Sequence, residues 1–161
     1  MTRIFIDADA CPVKKEVFEV SIRNNLDVYV VSNGGIRPNS NPLIKSVFVE
    51  SGLDKADDYI ISKVEKNDIV VSADIPLASE CIKKGALIVK HDGHVLNEDN
   101  IGNELSKRNL MTEMRAANPF MISKSKSFSK ADRSKFLNSF EVQIRALISK
   151  WQWEWMSPLV G

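Results

Sequence analysis

Hydrophobic residues in the first ninety positions follow two different spacings. Short runs such as Ile4-Phe5-Ile6, Val28-Tyr29-Val30-Val31 and Ile69-Val70-Val71 are apolar at every position, as in strands covered on both faces. Between them, apolar residues recur every three or four positions, as at Val13, Val17 and Val20, the period of a helix with one inward face. Taken in order, the pattern predicts strands over 3–7, 28–32, 46–49, 69–72 and 86–90. It predicts helices over 10–24, 55–65 and 76–84, then near 97–116 and over 130–150. Terminal signals agree with this. Asp54 stands where an N-cap belongs, Pro76 suits a first helical turn, and Gly85 suits the residue after a helix end. Residues 33–42 hold two glycines and two prolines and read as a loop, and the Ser/Lys-rich stretch 123–130 reads as a second, polar loop.

Strands alternating with helices imply a three-layer α/β/α fold with a mainly parallel sheet of about five strands, followed by C-terminal helices. With no internal repeat and 161 residues, the chain reads as one domain over 1–150 and a Trp-rich tail over 151–161. No apolar run approaches the ~20 residues of a membrane helix. The N-terminal apolar run stops after three residues, as a strand does and a signal peptide does not. Cys11 and Cys81 form neither a disulfide framework nor a metal-type spacing, which points to a reducing cytoplasm. The net charge of +1 hides an asymmetry. Residues 1–102 hold 12 Lys/Arg and 16 Asp/Glu, and residues 103–150 hold 10 and 4. An acidic part suits a metal and a basic part suits an anionic polymer, although two differently solvated faces give the same count.

Acidic residues recur where an open α/β sheet binds its ligands, beyond the carboxyl ends of the strands. Asp7 ends the first strand and Asp9 lies in the turn after it. Asp74 follows the fourth strand, and Asp57-Asp58 open the helix leading into that strand. If the first and fourth strands are neighbours, these sources meet. Clustered carboxylates repel one another unless protonated or neutralised by a cation. An all-oxygen set suits Mg²⁺ or Mn²⁺, which polarise phosphoryl oxygens and generate hydroxide. On this reading Asp7, Asp57 or Asp58, and Asp74 are ligands, and Asp9 is a further ligand or a base. Ser72 orients them or the substrate from behind. Each aspartate also has a local reading. Asp9 and Asp74 suit caps, and Asp57 and Asp58 suit a helix dipole.

These residues also carry a resemblance. Ile6-Asp7-Ala8-Asp9-Ala10-Cys11-Pro12-Val13, Ala56-Asp57-Asp58-Tyr59-Ile60 and 68–78, with Ser72 and Asp74, resemble three motifs of the bacterial YaiI/YqxD family. Asn100-Ile101, Leu105, Arg108, Arg115, Asp132-Arg133 and Phe136 match weaker positions downstream, so the resemblance spans about residues 3–140. The family is similar to PIN-like nuclease domains. The resemblance therefore implies metal ligation by Asp7, Asp57 or Asp58, and Asp74, and hydrolysis of phosphodiesters. The chain departs from the family pattern at three places: Ser72 where Thr is usual, Asp92-Gly93 where Arg-Gly is expected, and 116–119 where a Gly-rich segment is expected.

Arg108, Arg115 and Arg133, with nearby lysines, form a candidate substrate-binding stripe for sequence-nonspecific contact with RNA phosphates. A solvated basic face is the plain alternative. Cys11 reads as packing, and His91 and His94 as polar residues flanking an Asp-Gly turn. Trp151, Trp153 and Trp155 suit docking on the domain or on a second copy in a homodimer. Three functions remain open. The first is a Mg²⁺- or Mn²⁺-dependent nuclease. The second is a phosphatase of the haloacid-dehalogenase type, with Asp7 as nucleophile and Asp9 as acid. The third is a non-catalytic RNA- or protein-binding module.

Overall fold

The computed structural model describes residues 2–118, 120 and 128–160, with side chains as far as Trp153. Five parallel strands, β1 (Ile4–Asp7), β2 (Val28–Ser32), β3 (Ile44–Phe48), β4 (Ile69–Val71) and β5 (Leu87–Val89), are joined by a short antiparallel β6 (Val95–Leu96). Their order across the sheet is β3-β2-β1-β4-β5-β6. The helices are α1 (Lys14–Arg23), α2 (Lys55–Lys63), α3 (Ile75–Lys83), α4 (Ile101–Ala117) and α5 (Lys130–Val160). The three-layer α/β/α architecture is as the pattern implied, with six strands where about five were expected.

The period of two along each strand decides which layer a side chain joins. Ile4, Ile6, Val28, Val30, Ile69, Val71 and Val89 pack with Val17 and Val20 of α1 and with Phe136, Phe140 and Ile144 of α5. Phe5, Val31, Val70 and Ile88 face the other way, against Ile60 of α2 and Leu77, Ala78, Cys81 and Ile82 of α3. Phe136, Phe140 and Ile144 recur every four residues, so one stripe of α5 closes its side of the sheet. Their burial supplies about 1.5–3 kcal/mol per large side chain. The β5–β6 hairpin lies directly on α5. A Cβ on Gly93, whose φ is +91°, would stand 2.6 Å from the carbonyl oxygen of Lys135.

Several expected boundaries move. The helix expected over 10–24 begins at Lys14, because Ala8–Ala10 form a separate 3₁₀ turn and Cys11 is extended before Pro12. The third strand runs over Ile44–Phe48, two residues earlier than expected at its start. Asp54 stands at the N-cap of α2 as expected, but its φ is +63° and its side chain makes no cap hydrogen bond. The helix expected to end at 150 continues through the Trp-rich segment to Val160, since no Gly or Pro interrupts 130–157. Among the described residues, no helix is long and apolar enough to cross a membrane.

Two connections shape the surface near the strand ends. The parallel β2–β3 crossover is made by residues 33–43 without a helix, unlike the usual helical crossover. α4 is described along its whole length but buries no residue fully, and it stands against α3 at its N-terminal end.

Candidate active site at the carboxyl edge of the sheet

Sheet order is the first requirement for the aspartates to meet, and it is fulfilled. β1 pairs with β4, and the order of strands reverses between them, which opens a crevice beyond their carboxyl ends. Asp7 closes β1, and its carboxylate accepts the backbone N–H of Asp9 at 3.1 Å. That bond ties the 3₁₀ turn that carries Asp9. The Asp9 carboxylate in turn accepts the N–H of Asn33, at the end of β2, at 3.4 Å. Beyond β4, the Ser72 hydroxyl accepts the N–H of Asp74 at 3.0 Å, and Asp74 Oδ1 accepts the N–H of Leu77 at 3.0 Å. Asp74 is therefore the N-cap of α3, and one oxygen is engaged there while Oδ2 lies outside that bond.

Asp57 and Asp58 both lie in the first turn of α2, but they are not equivalent. Asp7, Asp9, Asn33, Asp54 and Asp57 line a cleft of about 220 Å³. Asp54, Asp57, Asp58, Asp74 and Arg108 line an adjoining cleft of about 360 Å³. Asp57 belongs to both, whereas Asp58 belongs only to the second. Asp54, expected only as a cap, also belongs to both. Its left-handed backbone, which Asp tolerates better than most residues, was not legible in its neighbours.

Electrostatics mark the same residues. Burial, then the charges of Asp74, Asp7, Asp54 and Asp58, push the Asp57 carboxyl up to about 6. Burial, then Asp9 and Asp74, raise Asp7, against the lowering effect of the Asp9 N–H. Among the described residues, none of these aspartates is in an ion pair, and no three His, Cys, Asp or Glu side chains gather closely enough to hold a metal ion. The carboxylates are thus near enough to disfavour one another's ionisation while standing apart around an open crevice.

The basic candidates separate. Arg108 lines the second cleft. Arg115 lies two turns further along α4, exposed and outside both clefts. Arg133 is engaged elsewhere: it donates to Glu16 at 2.9 Å and to the Pro12 carbonyl at 3.1 Å, and lies 4.9 Å from the centre of the Phe128 ring. Cys11 is buried, and burial pushes its thiol up to about 11, so it packs and does not ionise. His91 and His94 flank the β5–β6 turn, closed by the Gly93 N–H to Lys90 carbonyl bond at 2.9 Å.

The sequence model of the uncharacterized YaiI/YqxD family matches residues 5–146. The chain belongs to the YaiI/YqxD family. A UPF0178 protein of Roseobacter denitrificans is 51% identical over 145 residues, 90% of this chain and 96% of the relative. A UPF0178 protein of Cereibacter sphaeroides is 48% identical over 145 residues, 90% of each chain. One from Ruegeria pomeroyi is 47% identical over 147 residues, 91% of this chain and 96% of the relative. No solved structure matches the chain. The YaiI/YqxD match contains every aspartate of the two clefts and Arg108, Arg115 and Arg133, and it ends before the Trp-rich end of α5.

Proposed function

We propose that this YaiI/YqxD chain is a divalent-metal-dependent phosphodiesterase, a nuclease acting on RNA. The observation that carries the reading is the gathering of Asp7, Asp9, Asp54, Asp57, Asp58 and Asp74 on two adjoining clefts at the strand ends, with no cation paired to them among the described residues; burial and the neighbouring carboxylates push Asp57 up to about 6. A hard cation relieves that repulsion, and the donor set is the carboxylate oxygen that Mg²⁺ and Mn²⁺ prefer. Asp7, Asp57 and Asp74, which stand apart around the crevice without the ion, would draw in to hold it, with Asp58 and Asp54 at the rim. The bound ion would supply charge for a phosphoryl oxygen and a more acidic water. Asp9 serves as a proton acceptor beside Asp7. Ser72 fixes the backbone of Asp74, and Arg108 meets a substrate phosphate at the edge of the cleft. Arg108 and Arg115 are seven residues apart on α4 and share a face, so the helix offers two phosphate contacts about 10 Å apart. Arg133, held by Glu16, is left out of that track.

Fluorescent single-stranded RNA incubated with the full chain in Mn²⁺, in Mg²⁺ and in chelator tests this. Cleavage in either metal and none in chelator is expected. Asp7→Asn and Asp74→Asn should each slow it by about 100-fold, the scale of losing one preorganised charge-stabilising group. Both variants keep an acceptor oxygen for the local N–H, so folding should be retained by circular dichroism. Intact RNA, with phosphomonoester turnover and an aspartyl-phosphate trapped at Asp7, would show a phosphatase instead.

A further inference from the structure

We infer that a third cavity, on the α1 face of the sheet, binds a nucleobase together with its phosphate. The cavity holds about 370 Å³ and is lined by Phe18 of α1, Val30 and Ile44 of β2 and β3, Ile36 from the crossover loop, and at its mouth Lys14 and Arg37. Its origin is the missing crossover helix. Residues 33–43 connect two parallel strands without a helix, and where a helix would normally pack, Ile36–Asn39 of this loop line a hollow beside α1.

The lining specifies the occupant. Phe18 and Ile36 pack against the core and present partly exposed apolar surface, which suits a flat ring. Lys14 and Arg37 are both unpaired among the described residues, and no residue lining the cavity is acidic, in contrast to the aspartate clefts. Asn39 and Ser46 add polar groups at the rim. An apolar floor with two cations and a few polar groups is the environment of an aromatic anion, and the volume lies in the range of small-ligand sites. A nucleotide meets that description.

The position links it to the aspartates. Asn33 lines the Asp7–Asp57 cleft, and Ile36 and Arg37, three and four residues later, line the cavity. Lys14, five residues after Asp9, also lines the cavity. One nucleotide of an RNA strand would sit in the cavity while a neighbouring phosphodiester lies in the aspartate cleft. That placement rests on the proposed nuclease reading, but nucleotide binding itself does not.

Titration of the full chain with nucleoside 5′-monophosphates, ribose 5-phosphate and inorganic phosphate, in chelator and followed by NMR, separates the two. Nucleotide should bind at least ten-fold more tightly than ribose 5-phosphate, shifting resonances of Phe18, Ile36 and Ile44. Arg37→Glu and Ser46→Trp, both at exposed positions, should each weaken it at least ten-fold, the first by the scale of one charged hydrogen bond and the second by filling the rim, and Asp74→Asn should leave it unchanged. With RNA, Arg37→Glu should raise KM and spare kcat. Ribose 5-phosphate binding as tightly as nucleotide, or binding unaffected by both rim variants, would overturn the proposal. So would no nucleotide binding in a chain that cleaves RNA, and in that case the nuclease reading stands. Nucleotide binding in a chain that cleaves nothing supports the pocket and removes the nuclease reading.

Discussion

The two ends of the central strands treat buried carboxylates in opposite ways. At the amino end, Asp68 is 1% exposed and fully partnered. It accepts from the Arg3 backbone at 3.0 Å, from the Arg3 guanidinium at 3.3 and 2.7 Å, and from the Glu65 N–H at 2.8 Å. At the carboxyl end, Asp7 and Asp57 are less buried, yet their neighbours are other aspartates. Burial alone therefore does not separate a partnered acid from an unpartnered one; the charge facing it does. Asp68 is held by Arg3, whereas the charged form of Asp57 is disfavoured by burial and by its acidic neighbours.

The contrast can be broken most strongly at Asp68. Asp68→Ala leaves the Arg3 and Glu65 N–H groups without their acceptor and should cost about 3 kcal/mol, near the low end for breaking a buried pair because Arg3 is partly exposed. Urea unfolding measures it, and an unchanged midpoint would remove the distinction. Asp57→Asn should do the reverse. The group ionises near 3.8 when unfolded and at about 6 when folded, so the folded state binds the extra proton between those values. Wild-type stability should thus fall as pH rises from 4 to 6, and the penalty is fully present at pH 7. Without metal, Asp57→Asn should gain about 1 kcal/mol at pH 7, the shift being discounted for solvent screening, and nothing below pH 4. Parallel urea curves at pH 4 and 7 check the sign. The smallest effects should sort the arginines. Arg133→Ala should lose about 0.5–1 kcal/mol through Glu16 and Phe128. Arg108→Ala, with no ion pair among the described residues, should leave stability within about 0.5 kcal/mol and lower RNA cleavage about ten-fold.

Much of this was legible in the residues, for a physical reason. Parallel strands buried on both sides must be apolar throughout, so Asp7 after Phe5-Ile6 and Asp74 after Val70-Val71 stand out as strand-end acids. What stayed hidden depends on distant partners. Nothing near Asp7 says that β1 lies beside β4, and nothing near Arg133 says that Glu16, 117 residues earlier, holds it. Short range also failed where the signal is small. β6 has two residues, too few for a period, and Asp54 adopts a positive φ that an N-cap reading cannot foresee. One local signal was present and unread: Ser129 and Asp132 exchange hydrogen bonds at the start of α5, with the Asp132 N–H donating to the Ser129 hydroxyl at 3.2 Å and the Ser129 N–H donating to the Asp132 carboxylate at 3.0 Å.

The crossover without a helix has an evolutionary consequence. Its residues contribute little to the core beyond Ile36, so insertions and substitutions between Asn33 and Leu43 carry a small stability cost, while Asp7 ends a strand, Asp57 and Asp58 stand in a helix and Asp74 caps one. On the proposed function, selection could therefore retune what the loop admits while the acidic edge stays as it is. Preference and chemistry are free to diversify at different rates within one fold.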